Sequence, residues 1–349
     1  MMQLFFDNAQ LEHRPTQFMV SGRIAPPFEN PDRAEALISA LSGLGLVQKT
    51  PADRGLAPIL AVHAESYVTF LQEAYRMFQA LPNAGPEVLP NVHPYVSAPL
   101  DFSPRPEPRA TGIVGLAGWY VGDMACAITE GTYRACYASA QSAAAAAEVV
   151  LGGEHAAFAL CRPPGHHAYA DRASGFCFFN NAGIAAEILR RRYGRVAILD
   201  FDTHHGDGTQ AIFYRRDDVF VGSVHTDPSA YYPFYVGYAD ERGAGRGDGF
   251  NLNVPLAQGS DDTAFLTGVE RLADAALSAR AEALVVSAGW DAHAADPLSK
   301  LAVTTGAFRR VGAIVRRLDL PTVIVQEGGY SLAASAEAAP AFMAGFVGG

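Results

Sequence analysis

A chain of 349 residues, 49% hydrophobic and 18% charged, has the make-up of a compact globular protein with a large core, which excludes a disordered or fibrous one. With 26 Lys+Arg against 36 Asp+Glu the formal net charge is −10, which argues against a nucleic-acid partner and mildly favours a cationic small molecule. The start, MMQLFFDNAQ, carries Asp7 and neither a basic flank nor a long apolar run, so no secretory signal and no membrane span are expected, and the protein is placed in the cytoplasm.

In chain order, NPDRAEALISALSGLG (30–45) has Asn30 as a cap, Pro31 in the first turn and glycines at its end, the signature of a helix. ESYVTFLQEAYRMFQAL (65–81) is a second helix. The pattern dissolves over 81–111, where Pro82, Pro86, Pro90, Pro94, Pro99, Pro104, Pro106 and Pro108 interrupt the chain. A loop of that length inside a compact enzyme is expected to serve as a lid or a subunit contact. YRACYASAQSAAAAAEVVL (133–151) reads as a buried helix, alanine being the best helix former. Past residue 150, short apolar runs recur: HAAFALC, VAILDFD, VFVGSVH, ALVVSAGWD and TVIVQEGGY. Runs apolar on both faces are strands of a parallel sheet covered by helices on both sides, so the fold class is α/β, and no linker divides residues 1–349 into two domains. Cys126, Cys136, Cys161 and Cys177 lack paired spacing and sit in apolar stretches, as buried free thiols of a reducing compartment do. GAGRGDG (243–249) follows no strand and opens no helix, so it is a loop rather than a phosphate cradle, and Arg190-Arg191-Arg192 is the solvated basic end of a helix.

His166-His167, Asp202-His204, His225, Asp291 and Tyr330 all fall at or just beyond the carboxyl ends of predicted strands, where open α/β sheets collect their binding groups. A lone Asp-x-His is more often a cap or loop contact than a ligand pair. Here Asp202-Thr203-His204 is matched by Asp291-Ala292-His293 on another strand end. Catalytic zinc takes three protein ligands from His and carboxylates and keeps one position open. Asp202, His204 and one member of the second pair suffice; spacing leaves Asp291 and His293 both open, and Asp291 is favoured as nearer the strand end, with His293 on the rim. His166-His167, held by Pro163-Pro164-Gly165, offers imidazoles for proton transfer, with Asp200 and Asp207 as carboxylates to orient them. Tyr330, behind Gly328-Gly329, can donate to an oxygen that gains charge.

The ordered set RPPGHHA, SGFCFFNNA, LDFDTHHGDGTQ, SAGWDAHAADPL and QEGGY resembles the zinc-dependent histone deacetylase superfamily. PPFENPDRAEAL, GYADERGAGRGD and the 81–111 segment are most similar to its bacterial branch, the acetylpolyamine amidohydrolases. The resemblance implies the arginase/deacetylase α/β fold, a central, mostly parallel sheet with helices on both faces, and hydrolysis of an N-acyl amide. It implies one zinc ion per chain on Asp202, His204 and Asp291; His167 as general base; His166 as an electrostatic partner that helps protonate the leaving amine; Asp200 and Asp207 as their supports; and Tyr330 polarising the carbonyl. The Gly175 backbone is implied to accept the substrate amide, Phe176 and Tyr232 to wall a narrow tunnel, and His205 to be structural. A structural potassium ion is implied near Asp200, Asp202, His204, Ser223 and Val224. The implied substrate is a small N-acetylated polyamine or related amine, with a broader deacylase acting on acyl-lysine as the alternative. Polyamine-specific members place an acid at the tunnel rim, where this chain has Val114; Asp101, Glu107 and Asp123 are the candidates to replace it. The 81–111 insert is implied to join a homodimer.

Two rival classes share the fold. A binuclear ureohydrolase needs a further metal-binding Asp four residues after Asp202, where this chain has Gly206. A non-catalytic acyl-amine binding module is expected to have shed Tyr330 or one of the paired histidines, and all three are present.

Overall fold

The computed structural model describes residues 2–94, 102 and 105–348. Its centre is a sheet of eight strands: β1 (Gln3–Phe5), β4 (Val47–Lys49), β5 (Ala156–Ala159), β6 (Val196–Asp200), β7 (Val219–Thr226), β8 (Asn251–Leu256), β9 (Ala283–Ala288) and β10 (Thr322–Gln326). They lie in the order β4-β1-β5-β10-β9-β6-β7-β8, every neighbouring pair parallel. A separate antiparallel hairpin, β2 (Phe18–Val20) with β3 (Arg23–Ala25), stands apart from the sheet.

Side chains on a strand alternate faces, and here the alternation divides two cores. Val196, Ile198, Val323 and Val325 enter one, with residues of α2 (Ala57–Leu60), α3 (Glu65–Gln79), α4 (Ile113–Tyr120), α5 (Thr132–Leu151), α6 (Asn181–Leu189) and α7 (Asp207–Phe213). Ala197, Leu199 and Ile324 enter the other, with residues of α1 (Asp32–Leu41), α8 (Asp262–Ser278), α9 (Thr305–Arg317) and α10 (Leu332–Val347). The α/β class expected from the apolar runs is the class observed, with helices on both faces of a parallel sheet.

Helix boundaries follow the sequence closely. α1 starts at Asp32 after Pro31, and Asn30 Oδ1 accepts the Asp32 amide at 3.0 Å, so Asn30 caps it from one residue further out than expected. α6 ends at Leu189, and Arg190 is held in the turn that follows by Asp218 at 3.0 Å. β1, β4 and β8 went unread. The first two are three residues long, and β8 carries Asn251, Asn253 and Pro255, residue types depleted in strands. All four cysteines are free and buried. Within 81–111, residues 95–101, 103 and 104 lie outside the described residues.

The alanine run of α5 is a packing surface. Ala143, Ala144, Ala145, Ala146 and Ala147 are all fully buried, and α5 lies against α6 and β5. Small side chains set that close approach, and close-packed interiors resist added volume. Ala145→Leu is therefore expected to lower unfolding free energy by about 1–3 kcal/mol, seen as a lower urea midpoint at unchanged m-value.

Candidate active site

Strand β6 is a switch point: β7 continues to one side of it and β9 returns to the other. The crevice beyond its carboxyl end is where an α/β sheet presents a binding site, and the loops after β5, β6, β7, β9 and β10 meet there.

Asp202, two residues past β6, Asp291, three past β9, and His204 each direct one ligand atom to a common point, and these atoms all lie within 4.8 Å of one another. His204 Nδ1 is 3.1 Å from Asp202 Oδ1 and 3.1 Å from Asp291 Oδ2. Backbone amides take the remaining carboxylate positions: Gly328 N donates to Asp202 Oδ2 at 2.8 Å, His204 N to Asp202 Oδ1 at 2.9 Å and Thr203 N to Asp291 Oδ1 at 3.1 Å. Two buried carboxylates side by side are in conflict. Burial and the neighbouring Asp202 push Asp291 up to about 7. His204 rises to about 9 because Asp202 and Asp291 outweigh the effect of its burial. A divalent cation among the three donors relieves that conflict, and one imidazole with two carboxylates is a donor set suited to catalytic zinc. The residues present fit such an ion.

His293, the alternative third donor, is elsewhere. Its Nε2 is 3.0 Å from Thr305 Oγ1, and its Nδ1 accepts the Ala295 amide. A second buried group, His166, Cys177 and Glu327, also brings ligand atoms together. Glu327 Oε2 already accepts the amides of Gly165 at 2.7 Å and His166 at 3.1 Å, while burial keeps the Cys177 thiol protonated.

The tandem histidines sit beside the triad, their rings 4.0 Å apart between centroids. His166 Nδ1 meets Asp200 Oδ2 at 2.9 Å, and its Nε2 lies 3.8 Å from Asp202 Oδ2. His167 Nδ1 meets Asp207 Oδ1 at 2.6 Å, and Tyr169 donates to the other oxygen of Asp207 at 2.8 Å. Equal in sequence, the two imidazoles are tuned in opposite directions. Burial depresses both, but Asp202 and then Asp200 carry His166 well above the usual histidine value. His167 is lowered to about 4 by burial and by His166, against the pull of Asp207.

Tyr330 is nearly buried, and burial raises its phenol well above the usual value, so it stays a donor. Its position is fixed from both sides. Asp296 Oδ2 accepts the Tyr330 and Ser331 amides at 2.6 and 2.8 Å. The Arg33 guanidinium lies 4.5 Å over the ring and donates to the carbonyls of Gly329 and Glu327 at 2.6 and 2.7 Å. Glu29 holds Arg33 at 3.0 Å and accepts from Arg162 at 3.1 Å, all three buried.

Phe176 is 5.7 Å from Tyr330 and Tyr232 is 5.0 Å from His167, centroid to centroid. Gly175 between them has φ +52°, and a Cβ there would lie 2.4 Å from His167 Cδ2. Of the three candidate acids, Asp123 is beside these residues: its Oδ2 accepts the Gly175 amide at 2.9 Å, the Ser174 hydroxyl at 3.0 Å and the Tyr232 phenol at 2.7 Å. Glu107 instead accepts from Ser66 at 3.0 Å, Asp101 lies outside the described residues, and Val114 is partly exposed on α4. Ser223 pairs in register with Asp200, with Val224 next on β7, and the Ser223 hydroxyl meets His225 Nδ1 at 2.8 Å. His205 turns away from the triad, its Nε2 3.1 Å from Gln210. Gly206 stands where the ureohydrolase aspartate would be, and a Cβ there would lie 2.4 Å from Asp200 Oδ2.

Sequence reasoning missed Glu29, Arg33, Arg162, Glu327, Asp296 and Tyr231. All but Tyr231 lie inside stretches already singled out, Glu29 and Arg33 in PPFENPDRAEAL, Arg162 in RPPGHHA, Asp296 in DAHAADPL and Glu327 in QEGGY, but nothing in those stretches marked them for a role in the site.

Comparison with known proteins identifies the family. The histone deacetylase domain matches residues 27–346. An acetylpolyamine amidohydrolase of Burkholderia pseudomallei is 45% identical over 99% of this chain and 98% of its own length, and acetylpolyamine amidohydrolase 2 of Pseudomonas aeruginosa is 40% identical over 95% and 94%. The crystal structure of the acetylpolyamine aminohydrolase from B. pseudomallei superposes with a TM-score of 0.94 at 44% identity, covering 99% of this chain and 98% of that one.

Metal ligands must shed their protons to bind. With Asp291 at about 7 and His204 at about 9 in the metal-free protein, both hold protons below those values. Apparent zinc affinity is therefore expected to rise with pH, by about tenfold per unit between pH 7 and 9 and more steeply below 7. Competition against a chelator of known pH dependence measures this, and an affinity flat from pH 6 to 9 contradicts it.

Proposed function

The chain belongs to the histone deacetylase family and is a hydrolase of amides, and we propose that it removes acetyl groups from small N-acetylated polyamines and related amines using one zinc ion held by Asp202, His204 and Asp291. The observation that carries this reading is the pair of imidazoles beside that donor set, their rings 4.0 Å apart and each held at Nδ1 by its own carboxylate, His166 by Asp200 and His167 by Asp207.

When bound, zinc supplies Lewis acidity toward the acyl carbonyl and makes water more acidic. The protein's own groups do the rest. His167, neutral at physiological pH, takes the proton of the attacking water at Nε2, its Nδ1 being held by Asp207. Tyr330 donates its phenolic proton to the carbonyl oxygen as charge develops there, a contact of a kind worth about 3–4 kcal/mol. His166, whose Nδ1 is held by Asp200, offsets the negative charge and returns a proton to the departing nitrogen. The Gly175 carbonyl receives the N–H of the scissile amide, and Phe176 and Tyr232 flank a thin methylene chain, which favours small amines over folded protein.

The names of the relatives support the polyamine substrate, as does the charge of −10. Val114 stands where an acid would face the substrate's distal ammonium, and we propose that one of Asp101, Glu107 and Asp123 supplies that charge instead. A structural potassium ion is proposed at Asp200, Asp202, His204, Ser223 and Val224, which the in-register pairing of Asp200 with Ser223 supports. We further propose residues 1–349 as one catalytic domain, paired as a homodimer through the 81–111 insert and residing in the cytoplasm. Four unpaired buried cysteines support the last, and no helix among the described residues is long and apolar enough to cross a membrane.

Asp202→Ala is expected to lose metal and turnover together, whereas Tyr330→Phe keeps its metal and loses about 100- to 1000-fold in kcat. Full activity of Tyr330→Phe at full metal content contradicts the role given to the phenol. On zinc-loaded protein, acetylputrescine, acetylcadaverine and acetylspermidine are expected to turn over faster than an acetyl-lysine peptide. A preference for the peptide replaces the polyamine assignment with the acyl-lysine one, and two manganese ions per chain in place of one zinc reverses the mononuclear reading.

A further inference from the structure

His204 has two ring nitrogens, and only Nδ1 faces the donor set. The other, Nε2, lies 2.7 Å from the hydroxyl of Tyr231, whose ring stacks on the imidazole at 4.9 Å between centroids and 15° between planes. The same hydroxyl is hydrogen-bonded to the backbone carbonyl of Leu298. A carbonyl oxygen only accepts, so the single Tyr231 proton goes to Leu298, leaving a phenolic lone pair toward His204. Nε2 must then be the nitrogen that carries a hydrogen, and the lone pair of neutral His204 is left on Nδ1, between Asp202 and Asp291.

We propose that Tyr231 is the positioning residue that fixes the tautomer and plane of His204 for metal binding, with the Leu298 carbonyl setting the direction of the Tyr231 hydroxyl. The assignment rests on the reading of Asp202, His204 and Asp291 as a metal site. It explains why Leu298 belongs to the same DAHAADPL stretch that supplies Asp291 and, through Asp296, holds the Tyr330 backbone. One short segment thus sets a ligand, the orientation of a second ligand and the placement of the phenol. Tyr231 is followed directly by Tyr232 of the tunnel wall, so a turn in the 231–232 backbone links the wall to the ligand.

Partners that orient a ligating imidazole typically change metal affinity by about 10- to 100-fold when removed. Tyr231→Phe keeps the stacked ring and deletes only the hydroxyl. In the full-length protein its affinity for zinc, measured by chelator competition, is expected to fall by about that factor, while the melting temperature of the metal-free protein stays that of the wild type. Cobalt(II) titrations followed by visible absorption are expected to show the same weakening with altered band positions. Affinity within about twofold of wild type, with unchanged cobalt bands, overturns the proposal. So does a loss of affinity matched by a lower melting temperature of the metal-free protein, since that marks a merely structural role. Failure of the wild type to bind one divalent ion per chain instead overturns the metal site itself.

Discussion

Two carboxylates, Asp202 and Asp291, are forced together in a fully buried position around one imidazole nitrogen. Uncompensated burial of charge costs several kcal/mol per ion, and the fold spends many of its polar contacts keeping this arrangement from springing apart. Three backbone amides are aimed at the pair, and the chain is stripped of side chains around it: a Cβ on Gly289 would lie 2.2 Å from Asp202 Oδ2, and one on Gly328 would lie 2.2 Å from Asp291 Oδ2. The glycines of SAGW and QEGGY are therefore spatial requirements of the carboxylates as well as turns. A metal-free site of this kind is held by geometry rather than by its own electrostatics, which is the condition for binding a cation without rearrangement.

The same charge concentration differentiates the two histidines. His166 faces two carboxylates, Asp200 and Asp202, while His167 faces one, Asp207, part of whose charge is drawn off by the Tyr169 hydroxyl. Burial, and then repulsion from a charged His166, holds its neighbour neutral. A cation at Asp202 reduces that carboxylate's hold on His166, so metal occupancy and proton distribution in the pair are linked. Tyr330 is placed by a third arrangement. Glu29 is the counter-charge that lets Arg33 be buried beneath it, and burial of an arginine is tolerated only with such a partner.

The sequence carried the buried strands and their order of chemistry because both leave one-dimensional marks. The runs VAILD and TVIVQ are apolar on both faces, as a covered parallel strand requires, and the candidate ligands at strand ends recur as His and Asp in short motifs. What it did not carry depends on contacts between residues far apart. Arg33 lies on an amphipathic helix 297 residues from the Tyr330 ring it covers, and nothing local separates it from a surface arginine. Tyr231 and Tyr232 are adjacent tyrosines with different neighbours, the ring of one stacked on His204 and that of the other set edge-on to His167. β8 was missed because NLNVPL is not apolar, and its asparagines are buried for a reason the sequence alone does not state.

That reason is the loop that carries the two tyrosines. Asn253 donates to Gln210 Oε1 at 2.9 Å and to the Tyr238 carbonyl at 3.1 Å, and Asn251 donates to the same Gln210 oxygen at 2.8 Å and to the Glu241 carbonyl at 2.7 Å. Glu241 Oε2 accepts from Gln210 at 2.7 Å and from the Gly237 amide at 2.8 Å, while His225 Nε2 reaches the Gly237 carbonyl at 2.8 Å. The stretch GYADERG is thereby tied to β7, β8 and α7 by buried side chains. His205, the fourth histidine of the two doublets, belongs here through Gln210 and not to the triad. The second His-His pair thus divides its work: His204 points to the ligand point and His205 to the network that seats the loop pressing Tyr231 against His204. The ligand and its support are neighbours in the chain because one strand end must face both.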